Sequence, residues 1–347
     1  MRLRRLALIV LASVLLLAVL GIAGLRFALS HQQQIEGPRA VHESGYVPIG
    51  GRQQWIELRG WDRTNPVLLW VHGGPGFPVL SANYASFLPW ERSFTIAHWH
   101  QRGAGLTYAA ASKDEPLTID RMVDDGIEVA EYIRSRLGAE RIVVVGHSWG
   151  SLVAARMVQR QPNLFVVYVG TGQFTNLERD GRDLFAAALE RATRAGNTSA
   201  IHALEMVASL PPTDVHRMDV VRTWGKTEDV SDNPLLLYLA PLLAPGYPVR
   251  HAVSFARGLA QSRADLFEQE LRVDMERDVP ELARPAFLFQ GRNDWQVSTP
   301  SALHYFKVLK APRKEIVLFE GGHLVPMLQP DTFLKALVDK VRPLAVR

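Results

Sequence analysis

The sequence predicts an α/β fold, a mostly parallel sheet with helices on both faces and a helical lid inserted late in the chain. Three observations carry that expectation. Runs such as Val67-Leu68-Leu69-Trp70-Val71, Arg141-Ile142-Val143-Val144-Val145 and Ala286-Phe287-Leu288-Phe289-Gln290 are almost continuously apolar, as strands buried on both faces are. Helical-period segments lie between them, and strands that alternate with helices form parallel sheets. From about Gly172 to Leu271 strand-like runs cease, and helical segments divided by Pro211-Pro212, Asn233-Pro234 and Pro245-Gly246 replace them.

The elements follow in order. Tyr46 to Ile49 and Gln54 to Leu58 flank Gly50-Gly51 and open an antiparallel section. Val67 to Val71 is a buried strand ending at His72-Gly73-Gly74-Pro75-Gly76, and Phe94 to Trp99 is the next, ending at Gln101-Arg102-Gly103. Thr118 caps a helix reaching about Leu137, with Asp120 favourable in its first turn and Gly138 beyond its end. Strand Arg141 to Val145, helix Ser151 to Val158 and strand Phe165 to Val169 come next. Within the insertion, Arg182 to Ala195 and Ala200 to Leu210 read as helices; after it come a helix from Pro300 to Leu309, strand Glu315 to Phe319 and a helix near Thr332 to Val341. The boundaries are a leader at 1–30, a tether at 31–44, the core at 45–171, the lid at 172–280 and the remaining core at 281–347.

Charge and composition narrow the function. The formal charge of +4 is matched by Arg2, Arg4, Arg5 and Arg26, which precede the first acid, Glu36, so the remainder is near neutral. That distribution excludes a nucleic-acid partner, which needs a basic surface on the folded domain. Cysteine is absent, which excludes thiol nucleophiles, disulfides and thiolate metal sites. Between Arg5 and Arg26 no residue is charged, and a helix of about 20 residues spans about 30 Å, the hydrocarbon thickness of a bilayer. Three arginines precede the span and one follows, so the N-terminus stays cytoplasmic and the catalytic domain lies outside. An uncleaved anchor fits the length better than a cleaved signal peptide, for which Ala28-Leu29-Ser30 or Gly21-Ile22-Ala23 would be the cleavage site.

The chemistry centres on Gly146-His147-Ser148-Trp149-Gly150. Glycines two before and two after a serine permit a sharp turn from strand to helix, which lifts the Ser148 hydroxyl clear of the backbone. A serine hydroxyl needs a base, and the base needs an acid to orient it. His323, in Glu320-Gly321-Gly322-His323 after a strong strand, is the base, whereas His304 sits within a helix. Asp294, in Gly291-Arg292-Asn293-Asp294, leaves the preceding strand at the matching edge and is the acid; Asp331 begins a helix and reads as a cap. The oxyanion donors are the amides of Trp149 and of Gly74 in the glycine-rich loop. His72 and His147 are expected to brace loops.

The combination of HGGPG, QRGAG, GHSWGS, GRND and GGH resembles the prolyl aminopeptidase branch of the serine α/β hydrolases, from about Gly45 to the C-terminus. The resemblance implies the α/β-hydrolase fold, a helical cap, no cofactor, and release of an N-terminal residue, typically proline, from a peptide or arylamide. It puts the nucleophile on Ser148, the acid on Asp294, the base on His323 and the oxyanion amides on Gly74 and Trp149. Two departures stand out. His100 occupies the place of the aspartate in the family's Asp-Gln-Arg-Gly, and Arg222-Thr223-Trp224-Gly225-Lys226 lacks the glutamate of the family's Trp-x-x-Trp-Glu element, which helps capture the substrate amine. Glu178, Glu190, Glu205 and Glu228 are the available amine ligands, though each reads better as a solvated helix charge.

The expected activity is therefore a serine hydrolase acting on a small molecule or short peptide, as an N-terminal-residue peptidase or as a small-ester or amide hydrolase. A non-catalytic binding module would show a damaged triad. Metal-dependent hydrolysis has only His98-Trp99-His100 to suggest it, without a carboxylate cluster nearby.

Overall fold

Strand β3 (Val67–Val71) shows why its run is apolar throughout: Leu68 and Trp70 enter the core on one sheet face, Leu69 and Val71 the core on the other. The computed structural model describes residues 2–78, 86–110, 116–225, 242–245 and 247–346. Around β3 lie β1 (Val41–Ile49), β2 (Arg52–Gly60), β4 (Thr95–Trp99), β5 (Ile142–His147), β6 (Phe165–Thr171), β7 (Ala286–Gly291) and β8 (Lys314–Phe319). They form one eight-stranded sheet in the order β1-β2-β4-β3-β5-β6-β7-β8. The β1–β2 and β2–β4 pairs are antiparallel and every other pair is parallel. This is the α/β-hydrolase architecture expected from the sequence.

Helix α1 (Arg2–Gln32) precedes the sheet, and α2 (Gly105–Ala110) and α3 (Ile119–Leu137) follow β4. The Thr118 side chain accepts from the Arg121 amide, and Gly138 ends α3 in the left-handed region at φ 66°, as the capping pattern requires. Helix α4 (Trp149–Arg160) leaves β5, and its inward face packs Leu152, Val153 and Met157 into the core. Between β6 and β7 stand α5 (Leu177–Arg194), α6 (Thr198–Met206), α7 (Val215–Gly225) and α8 (Ala252–Glu270), with no strand among the described residues there. The first three share a small core of Ala188, Ala192, Ala200, Leu204 and Val221.

Several boundaries differ from the expectation. Helix α5 starts five residues before Arg182, capped by Asn176, which accepts from the Arg179 amide. Buried Asp180 and Gly181 interrupt the apolar period in that first turn, which hides it from a periodicity reading. The tether is shorter than 31–44, because α1 runs to Gln32 and β1 begins at Val41. The helix takes in Gln32 and stops before Gln33, and β1 alternates because it is an edge strand.

Among the described residues one helix, Arg4–Gln32, is long and apolar enough to cross a membrane, and none of its apolar stretch is buried in protein. Near its end the Arg26 guanidinium donates to the carbonyls of Leu242 (2.9 Å), Pro245 (3.1 Å) and Tyr247 (2.9 Å). The helix is thus tied to the segment between α7 and α8.

Candidate active site

The turn from β5 into α4 puts Ser148 at φ 55°, ψ −126°, where it is the single non-glycine residue with positive φ among those described. Its flanking glycines are sterically required. A Cβ on Gly146 would lie 2.5 Å from the Gly150 carbonyl oxygen, and one on Gly150 would lie 2.0 Å from that of Val71 on β3. Such approaches exclude any side chain, so the elbow holds its shape at the cost of one strained serine. The Ser148 amide donates to the Thr171 carbonyl at 2.9 Å, tying the turn to the end of β6.

The loops after β7 and β8 meet beside it. Asp294 Oδ2 accepts from His323 Nδ1 at 2.8 Å, and both side chains are buried. The Asp294 carboxylate is fixed by three further donors: its Oδ1 accepts from the amides of Gln296 (2.9 Å) and Val297 (3.1 Å), and its Oδ2 from Gln290 Nε2 (3.2 Å). With Nδ1 as donor, the neutral His323 imidazole presents a bare Nε2. Ser148 and His323 line one cavity of about 520 Å³, together with Gly73, Gly74 and Trp295, a volume typical of small-molecule sites. Among the described residues Ser148 and His323 make no hydrogen bond to each other. Such contacts commonly tighten only once substrate is bound.

Of the expected oxyanion donors, Gly74 borders the cavity at φ 125°. Trp149 is the first residue of α4, so its amide has no acceptor within the helix. Its indole points elsewhere and donates to Gln101 Oε1 at 3.0 Å. Gln101 also donates through Nε2 to the His72 carbonyl (2.8 Å), and its amide donates to His72 Nε2 (3.2 Å). One buried glutamine therefore links both loops that would hold an oxyanion. Nothing but its place in the Gln-Arg-Gly motif hinted at this. The neighbouring Arg102 is ion-paired to buried Asp125 at 2.8 Å, which locks the same loop to α3.

The other histidines hold backbone. His72 Nδ1 donates to the Gly73 carbonyl at 2.8 Å, and burial lowers its pKa to about 4. His147 Nε2 donates to the His323 carbonyl at 3.0 Å, and burial, reinforced by the adjacent His323, lowers its pKa to about 3. Both stay neutral at physiological pH and act as fixed struts. His98 packs edge-on against Phe87 with ring centroids 5.2 Å apart, and His100 Nδ1 accepts from the Leu106 amide at 3.1 Å. Neither belongs to a cluster of metal-ligating side chains among the described residues.

Glu178, Glu190 and Glu205 do not line the cavity. Glu178 pairs with Arg182, Glu190 with Arg194, and Glu205 is exposed; Glu228 lies outside the described residues. The cavity wall instead carries Asp219 and Arg222 from α7 and Arg263 and Glu270 from α8. A signal existed in the sequence: Leu259, Arg263, Phe267 and Glu270 recur at helical spacing, so one face of α8 presents both charges.

A family model described as "Alpha/beta hydrolase family" matches residues 68–336. The chain belongs to the alpha/beta hydrolase family. It is 29% identical over 305 residues to the "Probable aminopeptidase YbaC" of Bacillus subtilis, covering 85% of this chain and 95% of that one. A proline iminopeptidase-related protein of Thermus thermophilus superposes with a TM-score of 0.60 at 22% identity, covering 88% of this chain and 99% of the other. A bacterial membrane phospholipase A gives 0.62 at 18% identity, covering 96% and 98%. This alpha/beta hydrolase is thus a hydrolytic enzyme whose relatives lie in the prolyl aminopeptidase branch that its motifs resemble.

Proposed function

We propose that this alpha/beta hydrolase is a serine hydrolase in which Ser148, His323 and Asp294 form the triad and the reaction passes through an acyl-enzyme. One observation carries the reading: the 2.8 Å bond from His323 to Asp294 borders a cavity into which the elbow presents Ser148. Ser148 Oγ attacks a substrate carbonyl while its proton passes to His323 Nε2. The amides of Trp149 and Gly74 receive the oxyanion, each such donor contributing roughly 10²–10³ in rate. His323 then protonates the leaving amine or alcohol, and water, deprotonated by the same imidazole, cleaves the acyl-enzyme. Asp294 keeps the proton on Nδ1 and stabilises imidazolium as it forms. Residues 172–280 act as the lid, bringing α7 and α8 over the nucleophile.

The relatives' names favour release of an N-terminal residue from a short peptide. The cavity wall favours the second reading, a small-ester or amide hydrolase, because Glu178, Glu190 and Glu205 do not line it and the one glutamate that does, Glu270, shares it with Arg222 and Arg263. The Arg4–Gln32 helix anchors the enzyme, and Arg2, Arg4 and Arg5 at its N-terminal end keep the N-terminus inside, leaving catalysis outside the cytoplasm. Removal of the helix as a signal peptide would release the same domain.

The test compares a prolyl arylamide with a short nitrophenyl ester on wild type and Ser148→Ala, alongside labelling by a fluorophosphonate. Labelling that requires Ser148 supports the triad. Ester cleavage without arylamide cleavage removes the peptidase reading, and no labelling with no turnover of either removes the hydrolase mechanism.

A further inference from the structure

Two arginines face the cavity that holds Ser148. Arg222 stands on α7 and Arg263 on α8, with Glu270 two turns beyond Arg263 on the same face. Among the described residues the one carboxylate within 4.0 Å of Arg222 is that of Asp219, 3.9 Å away and 65% exposed. Solvent weakens so distant and exposed a pair to near nothing. Arg263 makes no ion pair among the described residues. Glu270 is buried, and burial pushes its carboxyl up to about 7 although both arginines pull it down. The wall therefore holds two guanidinium groups against one buried carboxyl, Glu270, that is partly protonated at neutral pH and one exposed carboxylate, Asp219.

This is an unfavourable arrangement without a ligand. Burial lowers the Arg222 pKa, and the like charge of Arg263 lowers it further. Apolar Met218, Leu259 and Phe267 line the same wall and give half-buried Arg222 no polar partner, whereas Arg263 is exposed to water. An added anion would offset the surplus, and a carboxylate matches the planar fork of a guanidinium in a paired, two-bond geometry. A substrate ammonium group, by contrast, would share this wall with two cations.

We propose that this wall is an anion subsite: the substrate carries a carboxylate, bound by Arg222 and Arg263, while its scissile carbonyl lies at Ser148. The inference rests on the serine-hydrolase reading above and specifies its substrate class. Two sources share the chemistry, the free C-terminus of a short peptide and a terminal carboxylate on the acyl chain of an ester or amide.

Isosteric substrate pairs test it. Nitrophenyl hemiglutarate is compared with nitrophenyl 5-methylhexanoate, and prolyl-alanine with prolyl-alaninamide. In at least one pair the charged member has a kcat/KM about 10-fold or more above its neutral partner, and Arg263→Met or Arg222→Met lowers that ratio by about 10-fold, as loss of a charge-assisted bond requires. The pair that shows the effect identifies the source. Ratios near one in both pairs, or ratios untouched by both variants, overturn the subsite. Should no substrate turn over, the hydrolase reading fails separately, and calorimetric titration with glutarate decides: saturable binding lost in Arg263→Met upholds the subsite, and no binding in wild type rejects it. Arg263 is exposed, so its variant serves if Arg222→Met does not fold.

Discussion

Gly172 lies against the imidazole of His323 so closely that a Cβ there would sit 2.8 Å from Cε1 and 2.9 Å from Nδ1. The bend that follows β6 thus forms one wall of the pocket in which the imidazole is clamped, with Asp294 on another side. Gly172→Ala is expected to displace His323 and lower kcat by about 10²-fold, the scale set by misplacing a reacting group by roughly 1 Å. The residue also has φ 51°, which adds about 1–2 kcal/mol of strain for any side chain. Gly196→Ala is the matched control, having φ 62° but open space around its Cβ position. Equal loss of kcat in both variants, measured with matched thermal melts, would assign the effect to backbone strain alone.

Gln101 connects the carbonyl of His72 to the indole of Trp149. Gln101→Leu leaves buried donors and acceptors without partners, which costs about 1–3 kcal/mol in stability. The oxyanion loops also lose their common brace. We expect kcat to fall about 10-fold or more with KM little altered, since the transition state needs the amides aligned and substrate binding does not. A rise in KM at constant kcat would show that Gln101 shapes the binding pocket instead.

The neutral buried histidines make stability depend on acid. His72 and His147 have folded pKa values of about 4 and about 3, below the ordinary 6.5. Their contribution is complete above pH 6.5 and is lost as pH falls, because the unfolded chain gains protons that the folded one refuses. Each costs about 1.4 kcal/mol per pH unit once the unfolded state is fully protonated. Chemical denaturation between pH 7.5 and 5 should show this slope, and His147→Gln should flatten it by one proton. A slope identical in the variant would mean that His147 titrates normally.

Arg26 binds three carbonyls of the segment leading into α8. Charged hydrogen bonds of this kind contribute about 1.5–3 kcal/mol each when satisfied, less where they are partly exposed. Arg26→Met should leave the α/β core intact and increase proteolytic cleavage within residues 242–251. Tyr247 packs with Phe255, and Phe255 meets Phe77 of the cavity wall with centroids 5.4 Å apart, so the KM for bulky esters should also rise. Unaltered proteolysis would mean that the helix and the lid segment hold independently.

The sheet was readable because burial on both faces leaves an unbroken apolar run, and β3, β5 and β7 each carry one. Helix α3 was readable from its caps, Thr118 and Gly138. The start of α5 was not, since Asp180 and Gly181 are buried for reasons that lie outside the segment: the Ser298 amide donates to Asp180 at 3.3 Å, and a Cβ on Gly181 would lie 2.3 Å from the Pro212 carbonyl oxygen. Local periodicity cannot register a partner more than 100 residues away in the chain.

The proposed triad of Ser148, Asp294 and His323 was legible in the sequence because each residue sits in a loop at a strand end, where glycines mark the turn and chain order limits the choice. The same pattern supplied the strand sequence, the elbow and the apolar leader, all of which depend on neighbours along the chain. Only the tertiary structure decided what faces Ser148. It put Gly172 beside the imidazole, made Gln101 the brace between two loops, and turned Arg222 and Arg263 toward the cavity while Glu178 and Glu190 turned to solvent. Side chains on separate helices acquire a common cavity through packing, and packing depends on contacts between residues that sequence spacing does not relate.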